Sequence, residues 1–484
     1  MGPSDPGAKN LHLSIIDQTM FRSYVRIVMI FPFPHADKRL NATGALKRGL
    51  QATITHWPYL AGTTGPVDED TNTFSLNYSD NVRPVGESGV FAASYLDDPQ
   101  LSYKRLGEQG FSPSMIRVED WVPALLRSKK GIESPVAEGR LGMTQPIPVL
   151  AMQAFFIDGG LVLSFYSHHG VIDGGGFSAF ATRLAGNIRL EKESDAPDTD
   201  NPSASRLAID TRIERVPPSV PSVNSGSTEV SSPTPSSPLD SHPIPDCTPR
   251  LFTFSRTRLA ELREELRQHV DNPETLTIFQ TLAGLIWTHF TRARKPRVEP
   301  ASITQCAVAV NLRSRLCPPL DENFIGNAST IIAAPLVAGV LLEGEKVSNH
   351  TISIAAAAVR AKIESMSPDA SLAHLARLRS ATCPDDLYEF NYPQDVFITS
   401  WASFDFGGLV ADWGIPGAGT EGVDGGRVTV RKPFSNQDRS VLLYPRPMDE
   451  TSPYEVLVQL RKDDMDRLIN EDGGLTMWAE RFVE

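Results

Sequence analysis

Cysteine, net positive charge and long apolar runs are all scarce in this chain of 484 residues. Its four cysteines stand at Cys247, Cys306, Cys317 and Cys383, and no two form a C-x-x-C pair. That spacing offers neither zinc-ribbon nor thioredoxin-type chemistry. Four cysteines in so long a chain build no disulfide framework, so a reducing compartment is expected. Lys and Arg number 46 against 58 Asp and Glu, a formal charge of -12. With no dense Lys/Arg cluster either, a nucleic-acid partner is not expected; a local basic site for an anionic small molecule stays compatible with the charge. No apolar run reaches the ~18 residues of a membrane span. The opening MGPSDPGAKN lacks the apolar centre of a secretory signal, and Pro6 breaks the myristoylation pattern. A soluble, cytoplasmic protein without a membrane partner is expected.

What the chain does have is ordinary globular patterning, interrupted once. A length of 484 residues suggests two or three domains at roughly 100–200 residues each. From Glu191 to Pro249 the sequence turns to Ser, Pro, Thr and Asp, as in KESDAPDTDNPSASR and SSPTPSSPLDSHPIPD. Such composition buries too little apolar surface to offset its ordering entropy. The expected division is therefore a domain at 1–190, a partly mobile crossover at 191–249 whose length matters little, and a second domain at 250–484. In the first half, YVRIVMIFPF reads as a buried strand, and Leu46, Leu50 and Ile54 mark a helix ending near Pro58. PVLAMQAFFIDGGLVLSFYSHHG reads as a hairpin turning at Asp158-Gly159-Gly160. Phe177, Phe180, Leu184 and Ile188 then adopt helical spacing. In the second half, helices carrying Leu259, Leu262 and Leu266, and then TIFQTLAGLIWTHFTRAR, alternate with strands ITQCAVAVNLR, STIIAAPL, DVFITSW and YEVLVQL. The fold class predicted is mixed α/β or α+β.

The chemistry concentrates in SFYSHHGVIDGGGF, residues 164–177. Side chains alternate faces along a strand, so His168 and His169 point apart and only one can enter a given site. An imidazole at a strand end is a suitable general base, because its ordinary pKa of ~6.5 lies near working pH. Asp173 stands where the helix begins, placed to accept backbone N–H groups or pair with a buried arginine. The glycines that follow permit close backbone approach. The opposed histidines, with no Cys or Glu cluster beside them, give no tetrahedral metal set, and no metal is expected.

SHHGVIDGG resembles the H-H-x-x-x-D-G motif of CoA-dependent acyltransferases. Further segments in the same order resemble the BAHD family, in its fungal trichothecene-O-acetyltransferase-like branch: LSIIDQ with YVRIVMIFPF, LKRGLQATITHWPYLAG, AVNLRSRLCPPLDENFIGN and TSWASFDFGGLVADWG. The resemblance implies two chloramphenicol-acetyltransferase-like domains joined by a long crossover, with the active-site channel at their interface. It implies that His169 is the base, and that Asp173 turns away to pair with Arg313 and hold the loop. It places Thr399 at the oxyanion and Trp401 and His168 on the substrate side. Asp412-Trp413-Gly414 aligns with the D-F-G-W-G motif, a structural element. Arg256, Arg292, Arg294 and Lys295 are candidates for the CoA phosphates. The implied activity is transfer of an acyl group, acetyl above all, from acyl-CoA to a hydroxyl, or less readily an amine, of a secondary metabolite. A monomer with no permanently bound cofactor is expected. Two other readings fit the motif: a condensation-like enzyme fed by a carrier-protein thioester, and a catalytically silent binding relative.

Overall fold

The computed structural model describes residues 7–129, 131–132, 142, 144–190, 202–216, 246–379, 394–409, 412–419, 427–434, 438–470 and 473–484. A five-stranded sheet organises the first half. It contains β2 (Tyr24–Pro32), β5 (Phe91–Tyr95), β7 (Leu150–Ile157), β8 (Gly160–His168) and β13 (Thr429–Arg431), in the order β13-β2-β8-β7-β5. The second half is built on seven strands: β9 (Cys247–Phe254), β10 (Ile303–Asn311), β11 (Ser329–Val337), β12 (Val396–Ser400), β14 (Ser440–Leu443), β15 (Tyr454–Arg461) and β16 (Arg481–Val483). Their order is β11-β10-β12-β14-β15-β9-β16. A smaller sheet, β1-β4-β3-β6, joins Ala8–Leu11, Thr73–Ser79, Thr63–Asp68 and Ile147–Pro148 at the edge of the first half. The architecture is mixed α/β.

Local sequence accounts for the strands that carry the site. β7 and β8 form the expected hairpin, with Gly159 at φ +67° in the turn, a conformation glycine adopts without steric cost. Every residue of β8 is buried, because neighbouring strands flank it and layers cover both faces; such a strand is apolar throughout rather than alternating. β2 pairs antiparallel with it, setting Tyr24 opposite His168. The Arg39–His56 and Gly174–Arg189 helices pack together in the first half. In the second half the Ile278–Ala293 helix starts from a capping box, in which Thr277 and Gln280 satisfy each other's backbone N–H groups.

Two features depart from a clean division at the crossover. β13 belongs by sequence to the second half, yet it pairs with β2 and closes the first sheet, Thr429 opposite Ile30. Beside it, Arg431 forms a bidentate pair with Glu455 of β15 at 2.9 and 3.0 Å, and donates to the Phe111 carbonyl. The two sheets are thus tied by one arginine. The second departure is a helix, Pro202–Glu214, within the segment expected to lack packed structure. Its Arg206, Ile209 and Ile213 are fully buried. The expected tolerance of this part of the crossover to shortening is withdrawn, since removing the helix would uncover those three positions. Residues 191–201 and 217–245 of this stretch, and the 420–426 part of the Gly-rich segment after Trp413, lie outside the described residues. Among the described residues no helix is long and apolar enough to cross a membrane.

Three histidines are held neutral by burial, assisted at each by a nearby cation: His168 and His289 fall to about 3 and His374 to about 4. The unfolded chain binds protons there near the ordinary 6.5, which the fold refuses. This contribution is complete above about pH 6.5 and is lost as pH falls toward the folded values. The melting temperature is expected to drop steadily between pH 7 and pH 4.5; a flat or rising curve in that window would contradict the assignment.

Candidate active site

The two histidines part at the end of β8, as alternation requires. His168 is 2% exposed. Its ring meets Tyr24 and Phe74 at 5.9 and 5.5 Å between centroids. Burial, with His169 and Arg22 nearby, pushes it down to about 3. This is a neutral residue inside the first half, and the structure corrects its assignment to the substrate side. His169 is only half-buried. Its N–H donates to the Ser23 carbonyl at 2.8 Å, which anchors the residue to the start of β2.

Around the His169 ring, Phe21 makes an edge contact at 6.0 Å and itself meets Phe397 of β12 at 6.3 Å. Residues from both halves therefore converge on the imidazole. Thr399 lies two residues along β12 from Phe397, on the same face, and is partly exposed. Burial pushes the His169 ring below the ordinary histidine value; Lys432 acts in the same direction, while its own backbone, Asp173 and the Asn327 side chain favour the protonated form. Nδ1 of His169 and Oδ1 of Asn327 are both buried, and the Asn327 side chain faces the ring.

Asp173 is the N-cap of the Gly174–Arg189 helix and is 2% exposed. Its Oδ1 accepts from Arg313 Nη2 and Gly176 N, both at 2.8 Å. Its Oδ2 accepts from Arg313 Nη1 at 3.0 Å and Ala328 N at 2.9 Å. Burial opposes the charge, but the guanidinium and the two backbone donors outweigh it and hold the carboxyl below its ordinary value. Arg313 also donates to the Phe324 and Gly326 carbonyls. All four acceptor positions of Asp173 are spent on holding backbone and Arg313, leaving it no role in moving a proton.

The run of glycines is explained by what touches it. A Cβ on Gly175 would stand 2.7 Å from Arg313 Nη1, and one on Gly176 would stand 2.6 Å from the Ile325 carbonyl oxygen. The helix must begin against the second half without side chains between. Trp401 is 6% exposed and packs on Phe406 and against Gly174; it belongs to the wall behind the loop, which corrects its placement on the substrate side.

The remaining expected residues scatter. Asp412 is exposed; its carbonyl accepts from Arg189 Nη1 and its carboxylate caps Gly414 N. Gly414, at φ +69°, lies against Arg189, and Trp413 packs on Phe31 at 5.3 Å. This segment braces the far end of the helix that Asp173 starts. Arg294 is fully buried. It donates to the Gln394 and Asp395 carbonyls, with Asp438 and Asp464 at 3.8 Å, so it is not available to a phosphate. Arg292 is spent on the carbonyls of Glu343, Gly344 and Glu345. Arg256, which reaches the Glu450 carbonyl, is partly exposed, and Lys295 is exposed. Among the described residues no His, Cys, Asp and Glu group is arranged to hold a metal ion.

Sequence reasoning did not single out Phe21, Asn327, Lys432 or Asp17 as site residues. Asn327 had the clearest signal, closing the NLR…FIGN segment that also carries Arg313. Asp17 follows Ser14 by three residues, the spacing of a capping box.

Gly176→Ala is expected to cost about 1–3 kcal/mol by overpacking, because its neighbour is backbone and cannot rotate away. Melting temperature and turnover should fall together. A variant that melts and turns over like wild type would mean that the close approach is not required.

Comparison with known proteins agrees with this geometry. The Transferase family profile matches residues 136–473, and the trichothecene 3-O-acetyltransferase-like N-terminal domain profile matches residues 23–185. The acyltransferase easC of Emericella nidulans is 25% identical over 97% of this chain and 95% of its own length. The trichothecene 8-O-acetyltransferase of Fusarium sporotrichioides is 24% identical over 97% of each. The crystal structure of F. sporotrichioides TRI101 complexed with coenzyme A and T-2 superposes with a TM-score of 0.71, at 20% identity, covering 97% of this chain and 99% of that one. The chain belongs to the Transferase family, the BAHD-type acyl-CoA-dependent acyltransferases, in the fungal trichothecene O-acetyltransferase-like branch.

Proposed function

We propose that the protein moves an acetyl group from acetyl-CoA to a hydroxyl of a fungal secondary metabolite, with His169 as general base. The observation that supports this most is a half-buried imidazole flanked by groups from both halves, over a loop locked by Asp173 and Arg313. His169 removes the proton of the acceptor hydroxyl as its oxygen attacks the thioester carbonyl. The tetrahedral intermediate collapses with cleavage of the carbon–sulfur bond. The proton held on His169 then passes to the departing CoA thiolate. Thr399 is the proposed donor to the oxyanion, being partly exposed on the face of β12 that carries Phe397. Binding both reactants beside one ring removes much of the entropic barrier. The aromatic edge of Phe21 and Phe397 suits an apolar, ring-bearing acceptor. The protein works as a soluble monomer in the cytoplasm.

Calorimetric titration with acetyl-CoA, paired with a thiol-release assay, tests the reading. Saturable binding and release of CoA on adding a hydroxylated acceptor are expected; no binding of acetyl-CoA or longer acyl-CoAs would contradict it. His169→Ala should lower turnover by on the order of 10²–10⁴ while melting near wild type; full activity would end the general-base assignment. Because burial disfavours the imidazolium, the acid limb of kcat/KM should lie below the ordinary 6.5. A limb at or above that value would contradict a buried base.

A further inference from the structure

The crossover helix delivers one charged side chain into the middle of the molecule. Arg206 is fully buried. Its Nε donates to Asp17 Oδ2 at 3.0 Å and its Nη2 to the Val171 carbonyl at 3.1 Å. Val171 lies in the turn between His169 and Asp173. The guanidinium also lies over the Tyr59 ring at 5.4 Å and the Phe324 ring at 5.5 Å. Phe324 has Arg313 as a second cationic neighbour, 5.7 Å away.

Asp17 carries the contact onward. It is fully buried. Its Oδ2 also accepts from Ser14 N and Oγ, both at 2.9 Å. Its Oδ1 accepts from Asn327 N at 3.2 Å and Asn327 Nδ2 at 2.9 Å. That second bond fixes the amide of Asn327, so its oxygen is the group left beside the His169 ring. The next residue, Ala328, holds Asp173.

We propose that Arg206 is a positioning residue for the acyl-transfer reaction: through the Val171 carbonyl and the Asp17–Asn327 bonds, the crossover helix sets the orientation of the His169 ring. The crossover is then part of the catalytic apparatus rather than a connection between two finished halves. A long neutral side chain at position 206 would leave the Asp17 carboxylate buried without its counter-charge and the Val171 carbonyl without its donor. Such uncompensated groups are costly. Lysine restores the charge but not the planar fork that reaches Asp17 and Val171 together.

This inference rests on His169 as the base, and the experiment separates the two. Wild type, Arg206→Lys, Arg206→Met and the double variant Arg206→Met/Asp17→Asn are compared in the thiol-release assay well below their melting temperatures, with the folded fraction measured. The double variant strands no buried charge, so it serves where the single one fails to fold. Expected is a fall in kcat on the order of ten- to a hundredfold, with KM for acetyl-CoA little changed and Arg206→Lys between wild type and Arg206→Met. The acid limb of the rate profile should also move to lower pH, as the Asn327 contact that favours the protonated ring loosens, while Asp173 and Lys432 still face it. A folded double variant with wild-type kcat and an unmoved acid limb would overturn the role of Arg206. Absence of CoA release from wild type itself would instead overturn the acyl-transfer reading.

Discussion

The structure turns on one buried ion pair that crosses between the halves. Asp173 comes from the loop after β8, and Arg313 from the segment after β10, yet their side chains meet at 2.8 Å with 2% and 6% of their side-chain surfaces exposed. Taking two charges out of water is expensive, and such a pair is seldom more stabilising than apolar residues of the same volume. What it provides is specificity of arrangement. The carboxylate holds Gly176 and Ala328; the guanidinium holds the Phe324 and Gly326 carbonyls. The loop of one half and the 324–328 segment of the other are thereby locked in one register, and His169 and Asn327 are brought side by side.

With the loop fixed, the imidazole is held in the environment that the proposed general-base role requires. Its Nδ1 is buried while the residue as a whole is half-buried, and burial favours the neutral ring. The neighbouring His168 illustrates the contrast. One residue earlier on the strand, it faces the opposite way, is sealed among aromatic rings and lies far below the physiological range. Two identical side chains at adjacent positions thus take different tasks because a strand alternates.

The strand–turn–helix carrying the motif was legible in the sequence because its determinants are local: an unbroken apolar hairpin, an Asp-Gly turn, a helix with a four-residue apolar stripe. That Asp173 could cap backbone or pair with a buried arginine was legible from its place at the helix start; that the partner is Arg313 was legible only through the family resemblance. What the sequence hid was long-range. β13 has three residues, too few for any periodicity, and pairs with a strand some 400 positions away. The helix at Pro202–Glu214 sits in Ser- and Asp-rich surroundings and has little amphipathic signal; its packing rests on Arg206, Ile209 and Ile213 finding partners elsewhere. Arg294 was a candidate for the CoA phosphates beside Lys295, but the Gln394 and Asp395 carbonyls, Asp438 before β14 and Asp464 of the Lys462–Asn470 helix enclose it. Composition reports how much of a segment is apolar, not which single charged residue it buries.

The most direct test of the central claim is a double-mutant cycle on the pair. Asp173→Asn, Arg313→Met and the double variant would be unfolded in denaturant and compared with wild type. Breaking either partner alone should cost about 3–5 kcal/mol, and the double variant should cost clearly less than the sum, because it strands no charge. A double variant whose cost equals the sum of the singles to within about 0.5 kcal/mol would contradict the account: Asp173 and Arg313 would then act separately, and the loop beneath His169 would be held by something else.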